Sequence, residues 1–178
     1  MAETRSLAVG VSYLGYAEPG DGIAGTEFTQ CPIIEQGTVV FNFNDPTTVN
    51  FFAEGMNDPW ESFDKLGDAD SFDFGIPSPM ASELKVFMGG QASGDKWEAP
   101  VEMPIIRKSI KLVTLPYKGK QTEYIFALCK VFGKIGRAPG AEQTDQLLVR
   151  CTKLTPVSSA GKAGSPYSRE VKAVTSEP

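Results

Sequence analysis

Apolar residues recur at every second position in several stretches of the chain, which is the spacing of half-buried β-strands. Residues 7–16 (LAVGVSYLGY) place Leu7, Val9, Val11 and Tyr13 on one side, and AEPGDGIAG, dense in turn formers, ends the run. In GTVVFNF, Val39, Phe41 and Phe43 alternate with Val40, Asn42 and Asn44 until Asp45-Pro46 closes the strand. TTVNFFAEG resumes an extended, apolar character, whereas MNDPWESFDKLGDAD is rich in Asp, Gly and Pro and predicts a long surface loop. A loop of that length in a small domain calls for a function or a partner.

The period changes to that of a helix in PSPMASELKVFMGG. Ser78 is the expected N-cap, Pro79 suits the first turn, and Gly89 supplies the left-handed stop. Met80, Leu84, Phe87 and Met88 form the stripe expected to pack on a sheet, each large side chain contributing about 1.5–3 kcal/mol on burial. Strands are predicted over residues 105–116, 122–135 and 146–154, with Tyr117-Lys118-Gly119-Lys120 turning between the first two. In EYIFALCKV both faces are apolar, which predicts a central strand covered on both sides. QLLVRCTKL points Leu147, Val149 and Cys151 one way and Arg150 and Thr152 the other, so one of its faces meets water or a polar surface. The expected architecture is mainly β, a sandwich or barrel-like domain over residues 1–154 with one flanking helix at about 78–88. Residues 155–178, small, polar and Pro-containing, predict an extended C-terminal arm.

Composition narrows the chemistry. At 178 residues the chain fits one core. Its apolar runs fall short of the roughly 20 residues of a membrane helix, and the first residues do not form an export signal, which predicts a soluble chain. Cys31, Cys129 and Cys151 lie at long spacing without a CxxC pair, so buried free thiols are expected instead of a disulfide framework or a zinc site. Histidine is absent, which removes the commonest general base and metal ligand. No serine, threonine or cysteine has an identifiable activating base. Two acidic or glycine motifs are weighed and set aside. GDGIAG (residues 20–25) satisfies G-x-G-x-x-G, but TEFTQCP follows it where a dinucleotide fold needs a helix. Asp64, Asp68, Asp70 and Asp73 cluster without the spacing of a calcium loop. Trp60 and Trp97 alone do not make a sugar platform for paired carboxylates. No catalytic residue, metal ligand or cofactor is therefore expected.

The net charge of −5 is segregated along the chain. Residues 1–104 carry 17 acids and 4 bases, whereas residues 105–137 carry 1 acid, Glu123, and 8 bases. A nucleic-acid patch would call for surface aromatics among those bases; contact between copies of the chain is the sharper alternative to a solvated face.

From Thr38 onward the order of features resembles the tail tube proteins of long-tailed bacteriophages, a group related to secretion-system tube proteins. The resemblance rests on an alternating strand, an acidic loop, a short helix ending in glycine (ELKVFMGG), a variable stretch with Trp97 and Pro100, and two final strands spanning EYIFALCKVFGKIGRAPGAEQTDQLLVRCTKL. It covers about residues 38–155. It implies a homo-oligomer: six copies closing a ring whose inner sheets form one barrel, and rings stacking into a virion tail tube assembled in the bacterial cytoplasm. Other tail proteins would be its partners, and DNA would pass through the lumen without specific binding. A lumen of negative potential would repel phosphates. On this reading Asp64, Asp68, Asp70, Lys108, Lys111, Lys118 and Lys120 are candidate assembly contacts. A monomeric β-sandwich module binding carbohydrate or protein, through Trp60 or Trp97, is the alternative.

Overall fold

Alternation, turn chemistry and one helical stripe build twelve strands and a helix in the computed structural model, which describes residues 6–31 and 33–174. The strands are β1 (Val9–Ala17), β2 (Thr29–Gln30), β3 (Val40–Asn42), β4 (Thr47–Phe51), β5 (Glu61–Lys65) and β6 (Ser71–Pro77), then α1 (Ala81–Met88). They continue with β7 (Gln91–Ser93), β8 (Lys96–Glu98), β9 (Ile106–Leu115), β10 (Lys120–Arg137), β11 (Gln146–Lys153) and β12 (Tyr167–Ala173). The protein is mainly β, its strand pairs antiparallel, with one helix, as the pattern predicts.

Eight strands form one sheet in the order β2-β1-β9-β10-β11-β6-β3, with β12 also joined to β10. The 18 residues of β10 make it the axis of the molecule. One of its edges carries β9; the other carries β12 along Lys120–Phe126 and then β11 along Cys129–Arg137. Paired on both edges, β10 is central as predicted; residues 123–129 are buried or half-buried on both faces, whereas Lys130, Phe132 and Lys134 leave one face in solvent beyond them. The β9–β10 connection is a two-residue hairpin in which Tyr117 and Lys120 exchange N–H···O bonds of 2.7 and 3.0 Å. Lys118 and Gly119 both have positive φ there, the geometry that matches strand twist.

The sheet curls until its far end faces its middle. Phe41 of β3 packs on Tyr124 and Phe126 of β10, with ring centroids 5.5 and 6.0 Å apart. Cys31 and Glu35 bridge the two ends: Cys31 N–H donates to the Leu14 carbonyl at 2.8 Å and Glu35 N–H to the Gly75 carbonyl at 2.9 Å. Inside, rings meet in an unbroken series. Tyr167 stacks on Phe126 (5.3 Å), Phe126 on Phe72 (4.7 Å) and Phe72 on Phe74 (6.1 Å). Phe87 of the helix meets Phe74 edge-on (5.7 Å) and Tyr16 of β1 (5.3 Å). Contacts of this kind add about 0.5–1.5 kcal/mol per pair beyond burial.

The structure departs from the sequence expectations in four places. In β1 the pairing with β9 is irregular between Val9 and Tyr13: Val11 packs on the core as expected, but beyond it Leu14 and Tyr16 face inward instead of Tyr13, and Leu7 and Val9 are exposed. The helix starts after Met80, not Ser78. Pro79 disfavours helical geometry in the residue before it, and Ser78 takes φ 44° while its N–H bonds the Asp145 carbonyl at 3.0 Å. Met80 becomes the N-cap, exposed and outside the buried stripe, its N–H donating to the Glu83 carboxylate at 2.8 Å. Residues 61–65, expected in a loop, form β5 paired with β4. Residues 167–173, expected in a free arm, form β12 on β10, and Tyr167 packs against the core.

Phe87 is 1% exposed and joins the helix to both sheet ends. Phe87→Ala is expected to cost about 3–5 kcal/mol in urea unfolding, and Leu84→Ala less because Leu84 is only partly buried. Equal losses would mean that the helix is not anchored through Phe87.

Candidate assembly surfaces

The charged residues singled out from sequence divide into two groups. Lys108, Lys111 and Asp70 are already paired within the chain. Lys108 pairs with Glu18 and lies 6.0 Å from the Tyr16 ring. Lys111 donates to Glu123 at 2.8 Å and sits over Phe28. Asp70 accepts from Lys153 and, at 3.0 Å, from the Asn44 N–H; the Lys153 bond first and the Asn44 bond second hold its carboxyl below the usual range. Asp64, Asp68, Lys118 and Lys120 take no part in an ion pair among the described residues. Asp64 accepts from the Thr48 hydroxyl at 2.7 Å, and Lys118 lies over the Tyr117 ring at the β9–β10 turn.

The acid inside the basic block has a structural task. Glu123, 5% exposed, accepts from Lys111 of β9 and from Lys172 of β12, each at 2.8 Å, so one carboxylate joins three adjacent strands. Burial pushes its carboxyl up, but the two lysine bonds outweigh that and leave it below the usual glutamate range. The same bond raises Lys172.

Beside the main sheet, β4 and β5 pair only with each other among the described residues. The base of this hairpin is fastened: the Asn44 side-chain amide donates to the Asp68 carbonyl at 3.2 Å. Beyond it the apolar content is left in solvent. Val49, Phe51, Glu61 and Phe63 share one face, with the two phenylalanine rings stacked at 5.7 Å. Phe51, Phe52, Met56, Trp60, Phe63 and Leu66 are all exposed. Residues 47–66 carry Glu54, Asp58, Glu61 and Asp64 against Lys65. Exposed apolar tracts rimmed by charge are a common feature of interaction surfaces.

A second surface lies on the outer side of the β9-β10-β11 region. Successive outward positions of β10 are Lys130, Phe132 and Lys134, all exposed, while Cys129, Val131 and Gly133 between them are buried. Arg107 stands directly opposite Lys130, and Arg150 opposite Phe132. Arg150 is held by Asp73 through two bonds of 2.9 Å, which raise its pKa. Arg107, Lys130 and Lys134 have no ion-pair partner among the described residues. The alternation in KVFGK was legible, but grouping these cations around an aromatic requires the strand register.

The remaining sequence motifs settle into local tasks. GDGIAG is a loop leading to β2 without a helix. It packs against residues 156–164: Asp21 accepts from Ser159 N–H and Oγ at 2.6 and 2.8 Å, and Gly25 N–H donates to Ser109 Oγ at 2.9 Å. A Cβ on Gly25 would overlap the Glu18 carbonyl oxygen, so the glycine is needed for the space. Trp97 donates its indole N–H to the Gly89 carbonyl at 2.8 Å, whereas Trp60 stands on the hairpin, so the two indoles do not form one platform. Among the described residues no set of acidic or cysteine side chains is grouped to hold a metal ion; Asp70 and Asp73 are paired to Lys153 and Arg150. A cavity of about 620 Å³ lies between β1 and residues 30–41, lined by Val11, Leu14, Cys31, Val39 and Leu112. Burial pushes the Cys31 thiol up to about 12, leaving it protonated and a poor nucleophile. Cys129 and Cys151 are also free, buried thiols with raised pKa.

No family model matches this sequence, and no curated protein matches it at a significant level.

The Glu123 clasp gives a pH test with a definite sign. A carboxyl held below its unfolded value stabilises the fold above the ordinary glutamate range, and that contribution fades as pH falls through the depressed value. Lys172, raised, contributes below the ordinary lysine value and loses its contribution as pH climbs through the raised one. Hydrogen-exchange protection factors of residues 167–173 are expected to hold at neutral pH and drop only in acid below the ordinary glutamate range. Glu123→Gln is expected to lower them at neutral pH and remove the acid step; an unchanged profile would show that the clasp does not retain β12.

Proposed function

We propose that the chain is a self-assembling structural subunit of the tail-tube kind, whose copies join edge to edge into rings and whose rings stack into a channel. The observation that carries this reading is a four-stranded strip, β1-β9-β10-β12, open at both borders among the described residues. β1 meets β2 only at Gly15 and Tyr16, and the Leu14 carbonyl takes the Cys31 N–H, so along Val9–Tyr13 the edge turned away from β9 has no paired strand among the described residues. At the other border β12 pairs with β10 alone. Val9 on one border and Val171 on the other are exposed.

Unpaired backbone donors and acceptors along a strand are a template for another strand. Two different open borders on one molecule favour a heterologous contact, in which the β12 border of one copy adds to the β1 border of the next, and such contacts make a ring when the rotation closes. Charge on the β12 border is partly absorbed within the chain, since Lys172 bonds Glu123 and Glu170. The turn at Lys118 and Lys120 stands at the end of the strip, where a ring neighbour or a stacked ring would meet it. In this reading DNA passes through the lumen without specific binding, other tail proteins cap the tube, and the assembled protein resides in the virion tail. Among the described residues no helix is long and apolar enough to cross a membrane.

Negative-stain electron microscopy and sedimentation velocity of the purified protein test the proposal. Rings or tubes are expected as concentration rises; a protein that stays monomeric throughout overturns it. Lys118→Glu with Lys120→Glu is expected to weaken assembly while leaving the melting temperature in place. Undiminished assembly of that double variant would remove the turn from the contact.

A further inference from the structure

We infer that the β4–β5 hairpin of one copy docks on the outer β9-β10-β11 face of a second copy, acidic aromatic ribbon against basic sheet. This rests on the self-assembly reading and adds to its ring edges a second contact with a named occupant. The two surfaces match in chemistry. The hairpin exposes Phe51 and Phe63 on one face, with Glu61 beside them and Glu54 and Asp58 in its loop. The receiving face presents Phe132, 42% exposed, with Lys130 and Lys134 on either side and Arg107 across from Lys130.

They match in size as well. Five-residue strands at about 3.4 Å per residue make a ribbon about 14 Å long, and Lys130 to Lys134 spans about the same length, with three adjacent strands covering about 10 Å across. The receiving face also carries an internal conflict that an acidic partner relieves. Arg107 and Lys130 are like charges in directly opposed positions of an antiparallel pair, an arrangement that destabilises the sheet. Arg150 on the same face already has its acid, Asp73; Arg107, Lys130 and Lys134 have none among the described residues. The hairpin leaves its own rings exposed, since β4 and β5 pair with no other strand among the described residues.

Lys130→Glu with Lys134→Glu tests the contact without asking the fold to fail. Reversing Lys130 turns the opposed like-charge pair with Arg107 into an attractive one, so the melting temperature of the monomer is expected to hold or rise. The concentration at half assembly is expected to rise about ten-fold or more, because like charges would now meet across the interface. Adding Asp58→Lys and Glu61→Lys in the same chain is expected to restore assembly. If wild type forms rings or tubes and the reversed face assembles equally well, or the charge swap fails to restore it, the docking inference falls while the ring reading stands. If wild type stays monomeric, both fall. If assembly ignores the face but wild type binds single-stranded oligothymidylate with a salt-sensitive affinity that Lys130→Glu with Lys134→Glu abolishes, the face is a phosphate-binding surface and the docking inference is overturned.

Discussion

The series of rings from Tyr167 through Phe126, Phe72, Phe74 and Phe87 to Tyr16 is the interaction on which the rest of the structure depends. These six rings come from β12, β10, β6, the helix and β1, of which only β6 and the helix are neighbours in sequence. Stacked and edge-on rings are rigid, so they set how tightly the sheet curls and where the helix seats. Phe41 then folds the β3 end over the middle. Because this packing uses one face of the sheet, the opposite side of β10 beyond Cys129 is left to Lys130, Phe132 and Lys134. The inner geometry thereby determines which charged groups are presented outward.

Much of that interior could be read from the chain because it is encoded locally. Strict alternation in QLLVRCTKL, two apolar faces in EYIFALCKV and a turn at Lys118-Gly119 specify β9, β10 and β11 to within a few residues. The helix end was legible for the same reason: Gly89 supplies a positive φ where its N–H bonds the Lys85 carbonyl. What escaped has no local signal. β12 reads YSREVKA, four of its seven residues polar or charged, and becomes a strand because the Lys120–Phe126 edge of β10 is open to it. β5 reads ESFDK and has no core face; its pairing with β4 is the only order it receives. In β1 the irregular stretch between Val9 and Tyr13 puts both Val11 and Leu14, three residues apart, on the core, which alternation alone does not give.

The candidate contacts show the same division. Composition identifies an acidic first part and a basic block, but only strand register decides which charges are consumed internally. Glu123 takes Lys111 and Lys172, Glu18 takes Lys108, and Asp70 takes Lys153. Each such pair withdraws a residue that seemed available for association. Of the charges left over, Glu54, Asp58, Glu61, Asp64 and Asp68 stand on the hairpin and its base, and Arg107, Lys130 and Lys134 on the outward positions of β9 and β10.

That residual pattern bears on how identical subunits would avoid indiscriminate association. Strand addition at an open border is driven by backbone hydrogen bonds, which are the same for any sequence, so it discriminates poorly between correct and incorrect partners. Discrimination has to come from side chains that reward one docking and oppose the rest. A surface that is acidic at one place and basic at another is self-repelling when like meets like and attractive only when unlike parts meet, which gives an assembly a direction. Charge of this kind acts mainly on encounter and register, leaving adhesion to buried apolar area. The hairpin combines both, since Phe51 and Phe63 stand among its acids, and Phe132 does so among the bases. If the chain assembles as proposed, its sequence-blind borders would extend the sheet and its charge pattern would fix which end meets which, as a polar, repeating structure requires.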